Sequence, residues 1–355
     1  MEAIVLVGGQ GTRLRPLTLR TPKPMLPAAG VPFLAHQLAR LADAGIDHVV
    51  LATSYRAEVF AERFGDGTSL GLHVDYVTET DPLGTAGAIR NVSGALDSSP
   101  DQPVVILNGD ILSGHDLSAQ LALHREHDAA VTLHLVRVDD ARAFGSVPTD
   151  TDGHVTAFVE KSPDPVSDQV NAGCYIFRRR VIDDIPAGEV VSVERVTFPG
   201  LLEAGATVMG YVDSAYWLDV GTPASFVQAS ADLVRGAVAS RLVAKPGQSW
   251  TAPDARVDES AQVGGGSSVL AGAVVGPAAT VDGAVVMPGA RIERGARIVR
   301  SVVGAGAVVG ADTVVEDAVV GDDARIGARN ELRRGARIWP GVELPELAVR
   351  FSSDV

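Results

Sequence analysis

Cysteine occurs once, at Cys174, so the chain can form neither an internal disulfide nor a cysteine-built metal cluster. Lysine is nearly as scarce: Lys23, Lys161 and Lys245 are the only three among 355 residues, and arginine fills the other basic positions. A compact ammonium is not interchangeable with a planar guanidinium, so lysines kept inside motifs mark places where a point charge is wanted. Positive charge is short overall. The net charge of −14 speaks against a nucleic-acid binder and against docking on an anionic membrane. No apolar run reaches membrane-spanning length and no signal peptide precedes the first strand, so the expectation is a soluble, cytoplasmic protein with no membrane partner.

What is present is organised around residues 3–27, AIVLVGGQGTRLRPLTLRTPKPMLP. Residues 3–7 read as a buried strand, which breaks at Gly8, Gly9 and Gly11 so that backbone can turn and approach a ligand. Free N–H groups after a strand suit phosphate. Arg13, Arg15, Arg20 and Lys23 follow in one loop stiffened by Pro16, Pro22, Pro24 and Pro27. The combination suggests a triphosphate cradle clamped by Arg13 and Lys23. It is neither a Walker loop, for no Gly-Lys-Ser/Thr occurs, nor a dinucleotide fingerprint, which fails at Leu14.

Along the chain, helices are expected at 31–44, 57–64 and 85–95, and strands at 48–53, 73–77 and 104–107, the last ending in Asn108-Gly109-Asp110. Alternation of this kind predicts a doubly wound, mainly parallel α/β sheet with ligand at the strands' carboxyl ends. Strands at 131–138, 154–160, 172–177 and 208–212 and helices at 192–204 and 223–238 complete a domain over 1–236. His124, Glu126, His127 and Asp128 read as a solvated helix face, and Cys174 as a small core residue. A linker is placed at 237–252.

The remainder, 253–345 with a tail at 346–355, is an internal repeat. Val257, Val263, Val269, Val275 and Val281 recur every six residues; after five-residue steps the register resumes at Val286, Val303 and Val320. Each hexad supplies a short strand with one inward aliphatic residue, and three such strands close a coil that stacks on its neighbours. The bland alternative, a β-sandwich, fits period six poorly.

GGxGTRLxPLTxxxPKPMLP resembles the signature of the sugar-1-phosphate nucleotidyltransferases, and Leu6-Val7-Gly8-Gly9 is most similar to the mannose-1-phosphate guanylyltransferases among them. The resemblance extends over nearly the whole chain. It implies a Rossmann-like nucleotidyltransferase domain followed by a hexapeptide-repeat left-handed parallel β-helix. An exposed end of such a coil is an edge that invites pairing, so the repeat is expected to mediate subunit contacts in a homo-oligomer. The resemblance also implies GTP and mannose 1-phosphate as substrates and GDP-mannose and pyrophosphate as products. Such a reaction needs no general base, because the attacking phosphate is already ionised with a second pKa of about 6. It needs cations, backbone N–H groups and a metal.

Asp110 and Asp219, the latter in WLDVGTP, are the candidate Mg²⁺ ligands and match the family's metal-binding positions. The resemblance places Leu6, Gly8, Gly9, Gly11, Thr12, Arg13, Lys23, Glu79, Gly84, Thr85, Asn108 and Asp110 at the nucleotide. It places Gly145, Glu160, Lys161, Asn171 and Asp219 at the sugar phosphate, with Ser162 replacing the proline of the family's E-K-P element. Arg13, Lys23, Lys161 and Asp110 are the expected catalytic set. Glu79 stands where related thymine or uracil enzymes carry glutamine; a carboxylate only accepts hydrogen bonds, which suits the adjacent N1–H and N2–H₂ donors of guanine. The rivals are glucose 1-phosphate with dTTP or UTP, and a non-catalytic nucleotide-sugar sensor. An acyltransferase role for the repeat is disfavoured, since the last histidine is His154.

Overall fold

A computed structural model describes residues 1–54 and 56–350. Of the tail expected at 346–355, residues 351–355 lie outside the described residues. Contacts divide the chain into two units, Met1–Gly9 with Gln37–Trp217, and Gln10–His36 with Leu218–Val355.

In the first unit, short runs of β-branched and aliphatic residues form β1 (Glu2–Leu6), β2 (His48–Thr53), β3 (His73–Thr78) and β4 (Pro103–Asn108). Then come β5 (Val131–Arg137), β6 (Gly145–Ser146), β7 (Val159–Glu160), β8 (Gln169–Arg178) and β9 (Val208–Asp213). One sheet runs β7-β6-β8-β4-β1-β2-β3, with β5 on β8 and β9 on β5. Pairings β1–β2, β1–β4, β2–β3 and β5–β9 are parallel, and β8 is antiparallel to β4, β5 and β6. Near-continuous apolar strands are what a sheet covered on both faces demands, and Ile4, Val50, Ile106, Leu133 and Tyr175 are fully buried in its core.

The helices are α1 (Phe33–Asp43), α2 (Ala57–Phe64), α3 (Gly84–Asn91), α4 (Leu117–Glu126), α5 (Arg179–Asp183), α6 (Phe198–Glu203) and α7 (Pro223–Arg235). Three sequence expectations change. His124 is buried, because it shares with Leu117, Gln120 and Leu121 the face of α4 that packs on the sheet. Its Nδ1 meets the Thr132 hydroxyl at 2.9 Å, and burial, helped by Arg178 and Arg125, lowers its pKa to about 4. The strand expected at 154–160 shrinks to β7, because its partner β6 offers only two residues. The helix expected at 192–204 begins as a π-helical turn at Val193–Thr197 before α6.

The second unit holds the coil. Its strands form three parallel sheets, and each strand pairs with the one 17 or 18 residues on, as in Ser268 with Val285 and Arg256 with Val274. This is a three-sided parallel β-helix. The five-residue steps at Val286, Val303 and Val320 all enter the same sheet, so they shorten one corner and leave the register intact. The inward column from Val269 through Val281, Ile298 and Val315 to Leu332 is almost wholly buried; each such side chain contributes roughly 1.5–3 kcal/mol.

Helix α7 starts at a capping box of Thr222 and Ser225 and lies along the coil. The Ser230 hydroxyl meets that of Ser268 at 3.1 Å, and Arg235 donates to the Gly265 carbonyl at 3.4 Å. Loop 10–36 packs on the same body: a Cβ on Gly30 would strike the Trp250 ring at 2.3 Å.

Candidate active site

Within the first unit the candidate residues collect at the carboxyl ends of β1, β3 and β4. Leu6 ends β1, and its carbonyl accepts the Gly109 N–H at 2.9 Å; a Cβ on Gly109 would lie 2.6 Å from that oxygen, so only glycine allows the approach. Gly8 lies beneath two side chains: an added Cβ would be 2.9 Å from Ser54 Oγ and 3.1 Å from Glu79 Oε1. The Ser54 hydroxyl donates to the Gly8 carbonyl. Half-buried Asp110 is braced from below, where the Gln37 amide donates to the carbonyls of Asn108 at 3.0 Å and Ile111 at 2.8 Å.

Glu79 follows β3 and accepts the Leu83 N–H through Oε2 at 3.2 Å, which fixes the entry to α3. Gly84 has φ +73 and sits against the Val191 carbonyl, 2.7 Å from where a Cβ would stand. That carbonyl accepts the Ala86 and Gly87 N–H groups. The Thr85 hydroxyl accepts the Val193 N–H at 2.8 Å and donates to Glu194 Oε2 at 2.9 Å, and the Ser192 hydroxyl donates to the same oxygen at 2.8 Å. Thr85 therefore ties the 191–194 strap to α3.

At the expected sugar end, the space beside Gly145 is taken by the chain itself: a Cβ there would meet Glu160 Oε2 at 2.9 Å and the Phe158 ring at 3.0 Å. Gly145 thus admits Glu160 and Phe158. Lys161, with φ +36, has a side chain 64% exposed to solvent, and its ammonium stands 3.7 Å from Glu160 Oε1. Asn171 opens a bulge in β8, where the register shifts before Tyr175 and Gly173 takes φ +74. Its Nδ2 donates to the Tyr175 hydroxyl at 2.8 Å and its Oδ1 accepts the Gly173 N–H at 3.1 Å. Bulges commonly re-aim side chains beside functional sites.

Within the second unit the cationic loop is built from three 3₁₀ turns, Thr12–Leu14, Leu17–Leu19 and Lys23–Met25. Gly11 takes φ +60, with its carbonyl held by the Thr18 hydroxyl at 2.8 Å and Lys23 packed against it. A Cβ on Gly221 would stand 2.8 Å from Arg13 Nη2 and 3.1 Å from Asp219 Oδ1, so the Arg13 guanidinium and the Asp219 carboxylate lie together over that glycine. From the coil, Arg337 Nη1 donates to the Arg13 carbonyl at 2.9 Å and the Arg15 carbonyl at 2.8 Å. Arg20 pairs with Asp323 at 2.8 Å.

Sequence reading did not single out Gln37, Ser54, Tyr175, Glu194 or Arg337. None of these lies in a motif whose spacing announces its role. Cys174 is buried, its thiol pushed up to about 12, and takes no part.

A family model described as Nucleotidyl transferase matches residues 2–236, and one described as GMPPB C-terminal domain matches residues 246–347. The mannose-1-phosphate guanylyltransferase of Mycobacterium tuberculosis (strain ATCC 25618 / H37Rv) is 54% identical over 357 residues, covering 100% of this chain and 99% of that protein. The mannose-1-phosphate guanylyltransferase catalytic subunit beta of Drosophila pseudoobscura pseudoobscura is 38% identical over 227 residues, 64% of this chain and 60% of that protein. Among solved structures, HddC from Yersinia pseudotuberculosis is 30% identical with a TM-score of 0.55, covering 64% of this chain and 97% of its own. Its complex with GMP-PN gives a TM-score of 0.54 at the same coverage. The first family match spans well over half of the sequence, over the same strand ends, glycine turns and cationic loop, and the chain belongs to the nucleotidyl transferase family.

Proposed function

We propose that the chain is a mannose-1-phosphate guanylyltransferase, converting GTP and α-D-mannose 1-phosphate to GDP-mannose and pyrophosphate. The observation that carries this reading is the 54% identity to the mycobacterial enzyme along the whole chain. An oxygen of the sugar phosphate forms a bond to the α-phosphorus of GTP, and the bond from that phosphorus to the β-phosphate bridge breaks. Two polyanions must be held against their repulsion. The backbone at Leu6, Gly8, Gly9, Gly11 and Thr12 and the cations of Arg13 and Lys23 serve the triphosphate.

Gly84, Thr85 and Asn108 shape the nucleotide end, and Glu79 reads the base. Lys161, a mobile point charge, meets the sugar phosphate. Glu160 and Asn171 take sugar hydroxyls. Asn171 keeps one amide hydrogen and one lone pair beyond its bonds to Tyr175 and Gly173, and Gly145 gives Glu160 its place.

Asp110 and Asp219 are the proposed ligands of Mg²⁺. Both are half-buried and offer carboxylate oxygens alone, a donor set that fits a hard cation holding substrate phosphates. Asp110 and Asp219 would hold the ion, which would supply charge neutralisation for the substrate phosphates. A cytoplasmic homo-oligomer completes the proposal, supported by Trp339, Val342 and Leu347, which leave apolar surface exposed at the last turns of the coil. No helix among the described residues is long and apolar enough to cross a membrane.

The test is a matrix of nucleoside triphosphates against sugar 1-phosphates, scored by pyrophosphate release. GTP with mannose 1-phosphate is expected to give the highest kcat/KM; a higher value for dTTP or UTP with glucose 1-phosphate would overturn the assignment.

A further inference from the structure

Metal-ligating side chains also gather at the opposite, amino-terminal end of the strands. In the parallel register Glu2 stands opposite His48 and His48 opposite His73, one row across β1, β2 and β3. Asp75, two residues along β3, faces the same side. His48 is the hub. Its Nδ1 is 2.7 Å from Glu2 Oε1 and its Nε2 3.0 Å from Asp75 Oδ2, and His73 Nε2 is 3.5 Å from that same oxygen. The two imidazole centroids are 5.1 Å apart.

Glu2 is buried and pinned, Oε1 accepting the Asp97 N–H at 2.9 Å and Oε2 the Ser98 N–H at 2.7 Å. Ionised, it offers His48 only an acceptor, so Nδ1 must carry the hydrogen and a neutral His48 presents a lone pair at Nε2. That lone pair faces the lone pairs of Asp75 at 3.0 Å. Two acceptors at that distance require either a proton between them, which makes the contact an ordinary hydrogen bond, or a metal ion beside them.

We infer that His48 Nε2, His73 and Asp75 form a binding site for a divalent transition ion, with Zn²⁺ the best fit and Glu2 the positioning carboxylate. The three donor atoms lie within 4.8 Å of one another. Zinc bonds of about 2.0–2.2 Å in a tetrahedron place ligands about 3.4 Å apart, and the observed 3.0 and 3.5 Å bracket that value. A buried carboxylate on the far nitrogen of a ligating histidine is the recurrent support of such sites, fixing tautomer and ring orientation.

The rest of the site is free to adjust. His73 is 63% exposed and Asp75 45%, on β3 at the end of the sheet, where water can supply a fourth ligand. A cavity of about 620 Å³ beside it is lined by His48, His73, Glu2 and Asp97 and gives solvent access to the site; its Asp47 is paired with the Met1 ammonium. Two imidazoles with one carboxylate favour zinc over magnesium, which prefers oxygen alone. Two further histidine-bearing groups among the described residues are poorer candidates: in Glu2, His48 and Asp97 the Glu2 oxygens already accept from His48 and two backbone N–H groups, and in Asp150, Asp152 and His154 the Asp150 Oδ1 already accepts two backbone N–H groups of its own turn.

The experiment is calorimetric titration of the full chain with ZnCl₂ in Mg²⁺-containing buffer, repeated with Co²⁺ to record the ligand-field band. The expected result is one Zn²⁺ equivalent in the parent chain that His73→Ala and Asp75→Asn each remove. Glu2→Gln should weaken it by roughly 10- to 100-fold. His73 and Asp75 are exposed, so their variants fold even where a change at His48 would not. Failure of the parent chain to bind Zn²⁺, an unchanged equivalent in His73→Ala, or its loss in His154→Ala would each overturn the assignment.

Discussion

Replacing Arg337 by alanine is expected to slow guanylyl transfer although the residue sits on the coil, at the far end of the sequence from the glycine loop. The two bonds from its Nη1 fall on the carbonyls of Arg13 and Arg15, on either side of Leu14. They set the backbone from which the Arg13 guanidinium reaches across Gly221 to Asp219. Hydrogen bonds from a charged group are worth about 1.5–3 kcal/mol when sheltered. These are exposed, so a discounted 1–2 kcal/mol for the pair together is the better figure, at about half to one each. If transfer needs the ordered loop, kcat/KM falls by roughly 5- to 30-fold. The melting temperature should fall by only a few degrees, the equivalent of about 1–2 kcal/mol in a unit of this size, because the coil's inward column does not include Arg337. Arg337→Lys should recover only part of the rate: both bonds leave one terminal nitrogen, Nη1, and the shorter lysine stem must carry its ammonium to that same point without the planar guanidinium that holds it there. The assay is continuous pyrophosphate release at subsaturating GTP. Retention of kcat/KM within about twofold of the parent would refute the reasoning, which takes about 1 kcal/mol as its lower bound.

Glu79→Gln keeps an acceptor for the Leu83 N–H, so the loop should hold while kcat/KM for GTP drops roughly 10- to 150-fold, the equivalent of about 1.5–3 kcal/mol; equal losses with dTTP and UTP would show that Glu79 does not read the base. Lys161→Ala should lower turnover strongly with the fold intact, because its side chain is exposed; near-parental kcat/KM contradicts a phosphate contact. Gly84→Ala combines a left-handed backbone, costing about 1–2 kcal/mol, with a contact of 2.7 Å to the Val191 carbonyl, so the thermal midpoint should fall measurably, and an unchanged midpoint would count against the tight 84–191 packing. Burial, reinforced by neighbouring Arg40, holds His115 at about 2, and burial, partly opposed by Asp213, holds His134 at about 4, against an ordinary 6.5. The unfolded chain therefore takes up the protons: stability is full above about pH 6.5 and declines toward pH 4, by up to about 1.4 kcal/mol per pH unit for each histidine. Denaturant midpoints that stay flat over that window would contradict it.

The sheet was legible because its strands are local, apolar and β-branched: 48–53 and 57–64 agree with β2 and α2 to the residue. The coil was legible because every inward residue repeats, and even its five-residue steps fall at one corner. Burial of His124 was not, since a histidine among charged neighbours gives no local sign of which helix face meets the sheet. Nor was the filling of Gly145 by Glu160, because a glycine reports that something comes close and not what comes. The bracing of loop 10–36 by Arg337 joins residues more than 300 positions apart, and no periodicity can announce such a contact.

Helix α7 and the coil share a measure. Arg235, at one end of the helix, reaches Gly265, and Thr222, at the other, borders the same cavity of about 660 Å³ as Gly335 and Arg337. Thirteen helical residues span about 20 Å at about 1.5 Å each. Strand 267–269 and strand 337–338 are four rungs apart in one sheet, or about 19 Å at about 4.8 Å per rung. The helix therefore acts as a gauge for the stack. A coil gained or lost between Ser268 and Arg337 would carry that arginine one rung past the carbonyls it holds, unless α7 changed by about three residues to match. Repeat number in this chain is a calibrated length, and the Arg13–Arg15 turn is what it is calibrated to reach.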